Sequence, residues 1–172
     1  HGLLASADLA AWTWPTDLAA AGTAFWLSWK WQFRRSFAVR LLAMLHIGFL
    51  WLGIAWLLAG VQGLLHAVGV ATLGLAPLHA MSVGFFATMT LAMVSRVTLG
   101  HSGRPLVADS LTWRLALGLH AVAALRVLAD IVPVGHALLL VIAGTGWLAV
   151  FLPWATRLVP VYLSRRADGR PG

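Results

Sequence analysis

Seven histidines (His1, His46, His66, His79, His101, His120 and His136) are spread along a chain that has five acids and no cysteine. In an apolar surrounding an unpaired polar group is costly, so a ring nitrogen there needs a partner. Histidine inside an apolar stretch therefore points to metal, haem or proton chemistry. The plainer reading of any one of them is a ring bonded to a carbonyl of a neighbouring helix. That reading weighs most on His66, and it is even with the functional one for His120 and His136. The richest stretch is Pro77 to Asp109. His79 opens it, Met81, Met89 and Met93 punctuate it, and Arg96 and Gly100-His101-Ser102-Gly103-Arg104-Pro105 close it. At ~100° per residue, His79, Val83, Phe86, Thr90, Met93, Val97 and His101 fall on one helical stripe bordered by Ser82. The helical rise separates the two histidines by ~33 Å, too far to share one metal ion. The stretch therefore holds two levels, each needing partners from other helices.

Depth selects those partners. His79 belongs with His136 or His66. His101 lies closest in depth to His46, with an offset of ~12 Å along the helix. Histidines on facing helices build haem and metal sites in bundles, and methionine is a further haem or copper(I) ligand, although packing is the plainer role of these methionines. Arg96 and Arg104 suit anionic groups such as haem propionates through charge-assisted bonds, while Arg96 equally suits lipid phosphate. Gly100, Gly103 and Pro105 specify a shaped loop rather than a plain helix end.

The elements that hold these residues are written in the composition. The 172 residues are 60% hydrophobic and 10% charged, with a mean hydropathy of +0.86. A water-soluble domain of this length needs a larger charged coat, so the chain reads as an all-α, polytopic transmembrane helix bundle. Five spans are predicted. One runs from about Asp8 to Trp31, either kinked at Pro15 or interfacial and then helical from Asp17. The others cover Phe37–Ala59, Leu78–Leu99, Leu111–Ala129 and His136 to about Val159. Residues 60–76 read as a short connection, Asp130–Gly135 as a turn, and Ser164–Gly172 as a basic tail without fixed structure. The division is thus 1–163 for the bundle and 164–172 for the tail. The first residue is histidine, which is expected of a fragment or a processed chain.

The net charge of +7 comes from one lysine and eleven arginines. They sit between apolar spans, which speaks for membrane flanks and against nucleic acid as a partner. The positive-inside rule places Lys30/Arg34/Arg35/Arg40, Arg96/Arg104/Arg114 and Arg157/Arg165/Arg166/Arg170 in the cytoplasm, with the carboxyl terminus. No acid is expected in the middle of a span, which counts against a proton-coupled carrier. No P-loop, HExxH or Ser-His-Asp pattern is present.

The motif Leu78-His79-Ala80-Met81-Ser82-Val83-Gly84, Thr88-Met89-Thr90-Leu91-Ala92, Ser95-Arg96-Val97 and Gly100-His101-Ser102-Gly103-Arg104-Pro105-Leu106 resembles the hallmark stretch of the NnrS family. Leu45-His46-Ile47-Gly48 and Asp168-Gly169-Arg170-Pro171-Gly172 resemble it too. The resemblance implies the carboxyl-terminal part of a bacterial inner-membrane protein of about twelve spans, associated with haem (heme), with copper, and with the nitric oxide and denitrification response. It implies His46, His79 and His101 as metal or cofactor ligands and the amino-terminal half of the same protein as a neighbour, beside the membrane lipid and the anion-binding Arg96 and Arg104 already read from the residues. Turnover is left open. A non-enzymatic membrane sensor or assembly partner, or half of a small-solute transporter, stand as alternatives.

Overall fold

The computed structural model describes residues 12–70, 73–132 and 134–169. His1, the start of the first predicted span and the last residues of the Asp168–Gly172 motif lie outside them. All regular structure among the described residues is helical: α1 (Trp14–Lys30), α2 (Phe33–Ser36), α3 (Arg40–Ala67), α4 (Ala76–His101), α5 (Ser110–Ile131) and α6 (His136–Tyr162).

Five of these helices correspond to the five expected spans, but only α3, α4 and α6 are long and apolar enough to cross a membrane. Helix α1 has 17 residues and rises ~26 Å, short of the ~30 Å hydrocarbon core. Helix α5 carries Arg114, Arg126 and Asp130. Pro15 does not kink a span. It sits in the first turn of α1, where its missing N–H costs nothing. Helix α3 continues past the expected end at Ala59 to Ala67, so the connection to α4 is shorter than predicted and His66 stands exposed on the last turn.

Helix α3 is the hub because its glycines let neighbours approach closely. A Cβ at Gly60 would stand 2.6 Å from Leu18, and one at Gly53 2.7 Å from Phe25, which seats α1 against one side. On the other side Met89 of α4 fills the space over Gly48, and Trp51 of α3 fills the space over Gly84 of α4. Small residues at helix contacts are the usual device for packing in lipid, where burial against tails gives no hydrophobic gain.

Residues Ala80–Ala87 of α4 are wound as a π-helix. The Thr88 hydroxyl donates to the Gly84 carbonyl at its end. The wider winding changes the rotation per residue, and π-turns inside α-helices occur frequently at functional sites. It also breaks the single stripe predicted from uniform α-helix. His79 turns toward α5, whereas Phe86, Thr90, Met93, Val97 and His101 are exposed. Asp109 caps α5 by accepting the Thr112 N–H at 2.8 Å. The tail lies against the loop after α4, where the Ala167 N–H donates to the Ser102 carbonyl at 2.8 Å.

Candidate functional site

The start of α4 meets the end of α5 over small residues. Ala76 and Ala80 pack with Ala55 and Val127, and this lets the two backbones approach. His79 is thereby brought to Asp130. The His79 Nδ1–H donates to Asp130 Oδ2 at 2.6 Å, and the Arg126 guanidinium donates to Asp130 Oδ1 at 2.8 Å. The three side chains are 17%, 6% and 21% exposed for His79, Asp130 and Arg126, so the cluster is largely shielded from water. Asp130 was expected in a turn. It lies instead in the last turns of α5, one helical turn from Arg126.

This geometry fixes the imidazole. A proton on Nδ1 directed at a carboxylate leaves Nε2 as the lone-pair nitrogen. A histidine held this way is the usual form of a metal-ligating imidazole, in which the second nitrogen donates to a carboxylate or carbonyl. The expected partners His136 and His66 do not take this place. His136 Nδ1 donates to the Ala129 carbonyl at 2.7 Å, and His66 is exposed.

His120 answers to a different partner. Trp51 Nε1 donates to His120 Nδ1 at 3.1 Å, so the His120 proton resides on Nε2. The same indole covers Gly84 in the π-helical part of α4. Trp51 thus joins α3, α4 and α5 at one point. Neither Trp51 nor Asp130 was singled out as a candidate from the sequence. The signal available was the pairing of Arg126 with Asp130 four residues on.

The remaining predicted residues are not brought together. His46 is half-buried in α3, its ring 6.4 Å from that of Phe33. Phe33 also lines a cavity of ≈ 560 Å³ together with Arg34 and Arg35. His101 and Arg96 are exposed on α4. Among the described residues no three histidine or acidic side chains come close enough to hold a metal ion. Arg104 lies in the loop after α4, where Gly103 has φ +69° and faces the Asp168 carboxylate. Its Nη2 donates to Ser164 at 3.4 Å. Beside it, Arg157 donates to Asp109 at 2.6 Å. The bond to Arg157, and then that to Thr112, hold the Asp109 carboxyl well below the usual carboxylate range.

The class is thus an all-helical bundle with three helices long and apolar enough to cross a membrane, a carboxylate-backed histidine at one end and an arginine-bearing loop at the other. The family model described as NnrS protein matches residues 1–166, nearly the whole chain, and the chain belongs to the NnrS family. No curated protein and no solved structure matches it.

Proposed function

We propose that this chain is part of a bacterial membrane protein that binds haem and acts in the response to nitric oxide, with His79 as a ligand of the haem iron. Family membership supports the biological setting. The observation that carries the site is the His79–Asp130–Arg126 cluster. Asp130 accepts the Nδ1 proton and fixes the tautomer, and Arg126 fixes the orientation of the carboxylate. With Nδ1 engaged by Asp130, Nε2 is the nitrogen through which His79 would hold the haem iron. Haem, when bound, supplies an iron centre for nitric oxide. His46, beside the cavity that carries Arg34 and Arg35, is the second candidate ligand. His101, exposed at the far end of α4, is the third. Arg96 and Arg104 are assigned to anionic groups at that end. Copper is a different case. It takes several nitrogen or sulfur ligands; no group of three histidine or acidic side chains lies together among the described residues, so a copper site would need further ligands beside His46, His79 or His101.

The basic flanks place the carboxyl terminus in the cytoplasm in this reading. The test is absorption spectroscopy with iron and copper analysis on the full-length protein, comparing wild type with His46→Ala, His79→Ala and His101→Ala. Loss of the Soret band in His79→Ala is expected. Wild-type protein lacking any Soret band would overturn the proposal. Nitric oxide consumption by the loaded protein then separates turnover from sensing.

A second reading, half of a carrier for a small solute, is favoured by one observation. Asp130 and its partners form a shielded acid–base cluster between helices, as proton relays do. That reading requires solute flux in proteoliposomes that survives removal of metal.

A further inference from the structure

At the opposite end of the bundle from His79, the loop after α4 and the facing ends of α5 and α6 enclose a cavity of ≈ 480 Å³. Arg104, Arg157, Asp109, Thr112 and Ser95 supply its polar wall, and Leu99, Leu115, Trp154, Leu158 and Val161 its apolar wall. The charges do not balance. Asp109 is taken by Arg157 at 2.6 Å, and Asp168 is taken by Arg166 through two bonds of 3.0 and 2.7 Å. Arg104 has only the long bond to Ser164, and its Nη1 is buried with no hydrogen-bond partner among the described residues. A shielded guanidinium nitrogen without an acceptor is costly, so a group entering the cavity that brings an acceptor gains by pairing with it.

We propose that this cavity binds an amphipathic monoanion, with its oxyanion head on Arg104 and its apolar body along Leu115, Leu158 and Val161. One unmatched guanidinium calls for one negative charge, and the Asp109 carboxylate on the same wall disfavours a second. The planar fork of arginine suits a phosphate or carboxylate head through paired bonds. Of the two sources for this chemistry, membrane phospholipid is favoured over a soluble fatty carboxylate. The cavity lies at the end of α6, a helix fit to cross the bilayer, and the surrounding exposed bases Arg114 and Arg165 favour an anionic surface.

The test is native mass spectrometry of the full-length protein released from nanodiscs containing phosphatidylglycerol and phosphatidylcholine. Wild type is expected to retain phosphatidylglycerol. Arg104→Gln is expected to lose it by about tenfold, the ratio that one charged hydrogen bond represents, and Arg104→Lys to recover part of it. Leu158→Trp keeps the charge but fills the cavity, and is expected to lower retention as well. This gives a second reading should Arg104→Gln fail to fold. Lys30→Gln, outside the cavity, is expected to leave retention unchanged. Equal retention by wild type and Arg104→Gln overturns the proposal, as does equal loss in Lys30→Gln. Binding of dodecanoate, a monoanion at about pH 7, to delipidated wild type, with no lipid retained, supports the site and assigns the soluble source. Loss of haem from Arg104→Gln with lipid retention unchanged overturns it and gives Arg104 to the cofactor.

Discussion

Nδ1 of His79 and Oδ2 of Asp130 lie 2.6 Å apart, joining the first turn of α4 to the last turns of α5. The bond both orients the ring and ties two helices at one end of the bundle. Asp130→Asn keeps the size of the side chain but removes its charge, so Arg126 loses its ionic partner and the tautomer of His79 is no longer imposed. Weakening of metal or haem binding by ~10- to 100-fold is expected, the range for carboxylates behind a ligating histidine. Asp130→Ala is expected to cost on the order of 3 kcal/mol of stability, because it leaves a largely shielded arginine unpaired. Haem titration and thermal unfolding of the two variants check these outcomes. A ligand affinity unchanged in Asp130→Asn would remove the carboxylate from the site.

The Trp51 indole packs so closely on Gly84 that an added Cβ would stand 2.5 Å from the ring. Gly84→Ala must therefore displace the indole and break its bond to His120. Destabilisation of ~1–3 kcal/mol is expected, the usual cost of overpacking. Gly144→Ala, which has nothing within 4 Å of the added carbon, is expected to be neutral or slightly stabilising through helix propensity. Unfolding in detergent monitored by tryptophan fluorescence separates the two. Equal melting of both variants would show that the α3–α4 contact is looser than described.

How much of this was legible from the residues follows from range. Helices α3, α4 and α6 were readable because an apolar run of about 20 residues has one outcome in a bilayer. The Asp130 cluster was not, because it depends on Ala76 and Ala80 letting α4 approach α5. No local pattern encodes that approach. The single stripe from His79 to His101 failed for a different reason. It assumed uniform α-helix, and the π-helical Ala80–Ala87 changes the phase between the two histidines. Arg96 and Arg104 were recognised as anion partners, but only the folded chain shows that Asp109 and Asp168 are held by Arg157 and Arg166 while Arg104 Nη1 has no partner among the described residues.

Acid should expose the contribution of Asp109. Its folded carboxyl is held down by Arg157, so the bond stabilises the protein above the unfolded carboxyl value of ~3.9 and fades as pH falls through the lower folded value. Both partners are nearly half exposed, which limits the contribution to ~1 kcal/mol or less. Asp109→Asn keeps the helix cap, since asparagine caps as well as aspartate, and removes only the charge. The variant is expected to lose that increment at pH 7, and the difference is expected to shrink as pH falls below the unfolded value of ~3.9 toward the lower folded value. Melting temperatures measured from about pH 2 to pH 7 test this, and a difference that stays constant down to about pH 2 would assign the effect to the cap instead.

Gly103 settles whether the tail is part of the bundle. Its φ of +69° lies in the left-handed region, and a Cβ there would meet the Asp168 carboxylate at 2.6 Å. Gly103→Ala thus carries a backbone cost of ~1–2 kcal/mol and also pushes against the tail. The tail is anchored to the loop by the Ala167 N–H to Ser102 bond, while the Arg166–Asp168 pair lies within the tail itself, so few contacts must be given up. The tail is therefore expected to detach before the helices loosen. Limited trypsin digestion should cut after Arg165 or Arg166 faster in Gly103→Ala than in wild type, with the thermal transition of the bundle little changed. Cleavage at the wild-type rate would mean that the loop, not the tail, absorbs the added carbon.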